Sequence, residues 1–291
     1  MTTQSPNFRN CSLDEETSVW YREAGSQHDP TILLLHGYPT SSNMFRNLIP
    51  LIASKFHVVA PDFPGFGFTT VSPDFDYTFE NIAKTIDSFV KKIGLSKYLL
   101  YIFDYGSPVG FRLALMNPNS VIFLVVQNGN AYEEGLDDRF WAPLRDYWGK
   151  DQQDPQMLKA LKGFVEDPKN IKSQYYDGVP RPETVDPTGC TLDIALLKRP
   201  NQSTVQVKLF HDYQTNVAMY PKFQEFLRTH SIPILVVWGT NDSIFTLAGA
   251  KAYARDASDV ILRLYDTGHF ALETHCDEIA REILEVFASQ E

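Results

Sequence analysis

Residues 101–110 read Tyr101-Ile-Phe-Asp104-Tyr105-Gly106-Ser-Pro-Val-Gly110. An apolar, strand-like run halts at a charged residue, and a helix-compatible run begins just beyond it. Glycine two positions after a turn residue lets the chain fold back without a Cβ clash, and Gly106 meets that need for Asp104. The pattern is that of a strand–turn–helix elbow carrying a nucleophile, G-x-S-x-G in its usual form. Asp104 occupies the nucleophile position, and Ile102 stands where the pattern has its first glycine. Ser107 is out of register: Gly106 directly precedes it and Val109 lies two beyond it. Asp104 also suits a helix N-cap, a role compatible with the first.

Short apolar runs surround this elbow at intervals. Residues 17–23, 31–36, 57–61, 98–103, 121–127, 233–238 and 260–265 read as strands, several apolar throughout, as strands covered on both faces are. Residues 42–53, 79–93, 108–117 and 274–289 read as helices. The alternation predicts an α/β fold with a mostly parallel sheet flanked by helices. It breaks between about 130 and 220, where aromatics and prolines crowd together without a clear strand. This stretch reads as a helical cap inserted into the main domain, or more plainly as a peripheral helical layer. The expected division is a core of 1–130 and 220–291 with a cap at 131–219.

Of 291 residues, 26 are Lys or Arg and 36 are Asp or Glu, for a net charge of −10. No cationic cluster offsets that balance, which disfavours nucleic acid and anionic membrane surfaces as partners. Cys11, Cys190 and Cys276 form no close pair and no metal-type spacing, as expected in a reducing compartment. The N-terminal residues lack an apolar signal core, and no apolar run approaches the ~20 residues of a membrane span. A soluble, cytoplasmic protein is the expectation.

Three further segments end strand-like runs. His36-Gly37-Tyr38-Pro39 follows the run at 31–36. In a sheet of this kind the loop supplies one oxyanion-binding N–H, here that of Tyr38, and the residue after the nucleophile supplies another, here Tyr105. Trp238-Gly239-Thr-Asn-Asp242 places a carboxylate at a strand's carboxyl end, where catalytic groups gather in open α/β sheets. Asp242 could equally close an Asx-turn. Thr267-Gly268-His269-Phe270 holds the one histidine in a glycine-flanked loop between a strand and the final helix. The order Asp104…Asp242…His269 is nucleophile, acid, histidine.

The segments HGYPTSS (36–42), APDFPGFG (60–67), FDYG (103–106), WGTND (238–242) and TGHF (267–270) together resemble the α/β-hydrolase superfamily along nearly the whole chain. More narrowly they resemble its Asp-nucleophile branch, the epoxide hydrolases and haloalkane dehalogenases. The resemblance implies an Asp104 alkyl ester, hydrolysed by water that His269 activates while Asp242 orients it. No cofactor or metal is implied. Dehalogenases hold halide with a Trp after the nucleophile and often an Asn in the HGNP version of the loop; here those positions are Tyr105 and Tyr38. Epoxide hydrolases use two cap tyrosines as acids. Tyr213, in Asp212-Tyr213-Gln-Thr-Asn216, matches the second; Tyr175, with Tyr176 as alternative, is the candidate for the first. His36 is a further candidate site residue. The expected activity is conversion of an epoxide and water to a vicinal diol, with a small apolar electrophile as substrate. Haloalkane dehalogenation and a non-catalytic small-molecule receptor are the alternatives. The chain is expected to be a monomer or homodimer.

Overall fold

A computed structural model describes residues 5–150 and 154–289. Eight strands form one sheet: β1 (Asn7–Ser12), β2 (Ser18–Ala24), β3 (Thr31–Leu35), β4 (His57–Pro61), β5 (Tyr98–Phe103), β6 (Val121–Gln127), β7 (Ile234–Gly239) and β8 (Val260–Tyr265). Their spatial order is β1-β2-β4-β3-β5-β6-β7-β8, with β1–β2 and β2–β4 antiparallel and the remaining pairs parallel. β1 is absent from the expected strands. Its sequence, NFRNCS, is polar and its residues are largely exposed, so it carries no burial signal.

Successive strand residues face opposite layers. Leu33, Leu35, Leu100, Ile102, Val126 and Val236 enter one core layer; Ile32, Leu34, Leu99, Tyr101, Val125 and Leu235 enter the other. Both faces are therefore apolar, and helices cover both. α1 (Leu48–Ile52) and α10 (Cys276–Ala288) close the second layer; α2 (Phe79–Lys92), α3 (Gly106–Met116) and α9 (Leu247–Asp256) close the first. The start of α2 is fixed by Thr78, whose side chain accepts from Asn81 N, and Lys91 and Lys92 lie at its C-terminal end, where the helix dipole favours cations.

The helix expected at 42–53 is instead a 3₁₀ turn (Ser42–Phe45) followed by the five-residue α1. The reason lies in competing partners. Ser41 caps Asn43 N, and Ser42 N donates to Asp62 Oδ1 at 2.8 Å, so the first turn is tied to the neighbouring loop.

The intervening stretch is helical. It contains α4 (Asp138–Trp148), α5 (Pro155–Glu166), α6 (Pro168–Tyr176), α7 (Pro187–Leu197) and α8 (Gln202–Thr229). Aspartates cap four of them: Asp137, Asp154, Asp167 and Asp186 each accept from the first turn. The 28-residue α8 runs across position 219 as far as Thr229. Among the described residues, no helix is long and apolar enough to cross a membrane.

Candidate active site

Loops leaving the carboxyl ends of β3, β5, β7 and β8 converge near α4, α6 and α8. Asp104 directly follows β5 and takes a left-handed backbone (φ 47°), which costs a non-glycine residue energy and is sustained only by its surroundings. Two glycines make that conformation possible. A Cβ on Gly106 would strike the Leu35 carbonyl, and a Cβ on Gly37 would strike the Asp104 carboxylate. Ile102 fits because Gly110 opposite it has no side chain.

Asp104 Oδ1 accepts from the Tyr38 N–H at 2.5 Å, and the Tyr105 N–H lies beside the carboxylate. Its other oxygen, Oδ2, lies 3.9 Å from His269 Nε2. Burial raises the Asp104 pKa to about 6, while His269 and the two backbone donors hold it from rising further. The two oxygens thus have different surroundings: Oδ1 accepts from the Tyr38 backbone, and Oδ2 faces the imidazole.

His269 is buried, and its Nδ1 lies 2.8 Å from Asp242 Oδ2. Burial alone would lower its pKa, but the Asp242 and Asp104 carboxylates outweigh burial and raise it. With Asp242 ionised, Nδ1 carries the hydrogen and Nε2 is free to accept one. Among the described residues, Nε2 has no hydrogen-bond partner. Asp242 itself is held by four donors. Oδ1 accepts from Ile244 N (2.7 Å) and Phe245 N (3.2 Å); Oδ2 accepts from His269 and from Asn128 Nδ2 (2.8 Å).

Asn128 is a residue the sequence reading missed. It follows β6 in a left-handed conformation (φ 41°), and its Oδ1 accepts from Gly239 N at 3.0 Å. Its partner Asp242 is 114 positions away. A left-handed Asn after an apolar strand leaves no sequence signal distinct from an ordinary turn.

The cavity above Asp104 is lined by Tyr38, Tyr105, Phe140, Trp141, Leu144, Gln174, Phe210, Tyr213 and Ile244. It is apolar apart from three phenols, one carboxamide and the carboxylate. Trp141 contributes its face, because its indole N–H donates to the Ile244 carbonyl at 2.8 Å. The indole of Trp148 is likewise engaged, with Phe210 O at 2.8 Å. A second, more polar cavity lies beside the first; Phe140, Gln174 and Ile244 border both, and His269, Asn170, Ser173, Asp177 and Ser243 line it further.

Tyr213 reaches the cavity from α8. Its neighbours anchor that turn to the core: Asp212 Oδ2 accepts from Phe79 N at 2.7 Å, and Asn216 Oδ1 accepts from Arg112 Nη1 at 2.7 Å. Tyr175 lies elsewhere. Its ring stacks on Phe270 (4.0 Å between centroids), and its hydroxyl donates to Asp193 Oδ2 at 2.5 Å. On α6 it is Gln174, one residue earlier, that reaches the cavity. A single residue turns the side chain by about 100° around a helix, enough to exchange wall for interior. Tyr176 is partly exposed beside Cys190, away from the cavity wall. His36 is buried behind the Tyr38 loop. Its Nε2 accepts from Phe63 N and its Nδ1 lies 3.0 Å from Gly37 O, so the ring is a neutral strut between two loops. Burial lowers its pKa to about 4.

Among the described residues, no group of three or more His, Cys, Asp or Glu side chains is placed to hold a metal ion.

A parallel sheet with an inserted helical stretch and an Asp–His–Asp set at its carboxyl edge defines an α/β hydrolase. The chain belongs to that family: residues 30–275 match the family model for the alpha/beta hydrolase fold. It is 55% identical to an uncharacterised hydrolase of Saccharomyces cerevisiae over 281 residues, covering 97% of each chain. It is 39% identical over 105 residues to a haloalkane dehalogenase of Bradyrhizobium diazoefficiens, covering 36% of this chain and 34% of that one. A solved structure described as an ancestral haloalkane dehalogenase has the same fold, with a TM-score of 0.80, 25% identity and coverage of 97% of this chain and 98% of that one. The protein is a hydrolase of the α/β-hydrolase superfamily with dehalogenase-like relatives.

Proposed function

We propose that this hydrolase opens epoxides to vicinal diols through an ester on Asp104. One observation carries the reading: the Asp104 carboxylate shares an apolar cavity with phenol donors, while the indole N–H of the one tryptophan on its wall is spent on a backbone carbonyl. A cavity whose donors are phenols suits an oxygen that must be protonated as its C–O bond breaks. A phenol remains protonated at neutral pH, and burial pushes Tyr213 further in that direction.

In this reading Asp104 Oδ2 attacks the epoxide carbon, the C–O bond breaks, and the freed oxygen takes the Tyr213 proton. Oδ1, held by the Tyr38 N–H with that of Tyr105 nearby, becomes the ester carbonyl oxygen. His269 Nε2 then takes a proton from water as its oxygen adds to the Asp104 carbonyl carbon, and the same N–H pair receives the negative charge. On collapse, two protons remain, one on His269 and one on the added hydroxyl. One goes to the leaving alkoxide and one restores Tyr213, so epoxide and water are the only reactants consumed.

Haloalkane dehalogenation is the second reading, favoured by the similarity to dehalogenase sequences. The same first attack would expel halide in place of an alkoxide. The intact mass of His269→Gln protein separates the two. After incubation with styrene oxide, a gain equal to the whole epoxide supports our reading. A gain only from 1-bromobutane, equal to the butyl group, would replace it with the second. No gain from either, with unchanged ligand recovered, would favour a non-catalytic receptor.

A further inference from the structure

Tyr213 has a second phenol behind it. Tyr220 lies seven residues further along α8, and the two hydroxyl oxygens are 3.3 Å apart. Tyr220 in turn faces Asn130, whose Nδ2 donates to its hydroxyl oxygen at 3.1 Å. All three side chains are buried.

The direction of this chain follows from Asn130. Its Nδ2 gives a hydrogen bond to the Tyr132 carbonyl at 2.7 Å, and its Oδ1 accepts from the Tyr132 N–H at 3.3 Å. The reversed carboxamide would set acceptor against acceptor and donor against donor. The seat is built for it: a Cβ on Gly135 would collide with Asn130 Oδ1, and one on Gly249 would come within 2.7 Å. Asn130 is therefore a donor to Tyr220, and the Tyr220 oxygen an acceptor. Among the described residues, Tyr220 has one other hydrogen-bond partner, the Tyr213 hydroxyl. A buried phenol hydrogen without an acceptor is costly, so Tyr220 gives its hydrogen to the Tyr213 oxygen. Tyr213 is left with its own hydrogen free for the cavity.

We infer that Asn130 and Tyr220 are positioning residues that direct the hydrogen-bond chain from Asn130 through Tyr220 to Tyr213, so that Tyr213 presents its hydrogen to bound substrate. The assignment of that hydrogen to an epoxide oxygen rests on the function proposed above; the direction of the chain does not. When the Tyr213 proton leaves, the phenolate keeps the Tyr220 hydrogen bond, and a polarised chain strengthens that bond. Asp104 and Tyr105 are the other ionisable groups acting on Tyr213.

The direction can be tested without substrate. With 3,5-difluorotyrosine, a more acidic phenol, installed at position 213, phenolate absorbance reports its titration. If Tyr220 donates, Tyr220→Phe removes a donor from the phenolate and raises the pKa at 213 by about one to two units. An unchanged or lowered pKa would mean that Tyr213 donates to Tyr220, and the inference would be overturned. Asn130→Ala should move the same pKa upward by less, and it serves if Tyr220→Phe does not fold.

A kinetic cycle tests the consequence. In His269→Gln protein, Tyr220→Phe should slow ester formation from styrene oxide by roughly tenfold, yet add nothing once Tyr213 is Phe. Equal slowing in both backgrounds would assign Tyr220 to packing alone and overturn the positioning role. Unaltered protein that gave no diol, with His269→Gln protein that gave no ester, would defeat the epoxide reading, while the titration would still decide the chain.

Discussion

Asp104, Asp242 and His269 stand on loops that leave the ends of parallel strands, whereas Tyr213 stands in the middle of a 28-residue helix laid across them. Backbone N–H groups help to hold both strand-end carboxylates. The Tyr38 N–H grips Asp104, and the Ile244 and Phe245 N–H groups grip Asp242 together with the Asn128 and His269 side chains. The helix-borne group is held mainly by side chains: Asp212 and Asn216 tie its turn to the core, and Tyr220 meets its hydroxyl. Backbone grips tolerate change in the gripping side chain and fail when a glycine gains a Cβ. Side-chain grips fail one substitution at a time. The two halves of the cavity should therefore respond to mutation in different ways.

The largest expected effects lie in the strand-end half. Asp104→Asn keeps the shape but removes the attacking charge, and His269→Gln removes the water-activating base. Each should lower steady-state diol formation by about 10⁴-fold or more, the scale of losses when a member of a concerted set is removed. They differ in what accumulates: His269→Gln should gain the mass of the epoxide, and Asp104→Asn should not. Turnover by Asp104→Asn at the level of the unaltered protein would show that the ester is not on the pathway.

This contrast also explains how far the sequence could be read. The strand-end half is punctuated by glycines, since a charged residue at the end of an apolar run needs Gly106 or Gly37 beside it to avoid a clash. Those residues are local in sequence, so Asp104, Asp242 and His269 stand out as candidates in chain order, and the structure brings them together. The sheet was legible for the same reason, except at β1, which is mostly polar and exposed. What was illegible depends on distant partners. Asn128 meets Asp242 across 114 positions and Asn130 meets Tyr220 across 90. In the helical half, a pattern of aromatics gives no register, and Tyr175 and Gln174 exchange roles by one residue. Tyr213 was found only through the resemblance of its surrounding segment.

Tyr213→Phe should give the next largest effect. It leaves the ring in place and removes one proton donor, for which roughly 10²-fold in ester formation is expected from general-acid catalysis. Attack on 1-bromobutane, whose leaving group needs no proton, should fall less. Equal losses on the two substrates would mean that Tyr213 acts through cavity shape, and the two halves would then not divide the chemistry as drawn.

Acidity should bear on the strand-end half in a graded way. Asp104 must be ionised to attack, and its pKa is raised to about 6 by burial. Ester formation measured in single turnover should therefore fall about tenfold per pH unit below 6. The same shift has a consequence for stability. The folded state holds the Asp104 proton more tightly than the unfolded chain does, so this group's contribution becomes less favourable as pH rises through its folded value. Asp104→Asn, freed of that charge, should melt at a higher temperature at pH 8, with the gain shrinking toward pH 5. A gain that grew on acidification would reverse the sign of the shift.

The smallest effect on turnover should come from Tyr175→Phe. Its hydroxyl bonds Asp193, whose own pKa burial raises to about 7, and its ring stacks on Phe270 next to His269. The hydroxyl does not reach the wall above Asp104, so diol formation should stay within about threefold, by far less than the ~10²-fold of a lost general acid. Stability should fall by about 1–3 kcal/mol, because Asp193 is left buried without its donor. Tyr175 holds the Asp193 pKa down, so without it the carboxyl keeps its own hydrogen to higher pH, and that cost should ease on acidification. A 10²-fold loss of ester formation, with melting unchanged, would instead place the Tyr175 hydroxyl in the reaction and make the helical half a two-phenol device.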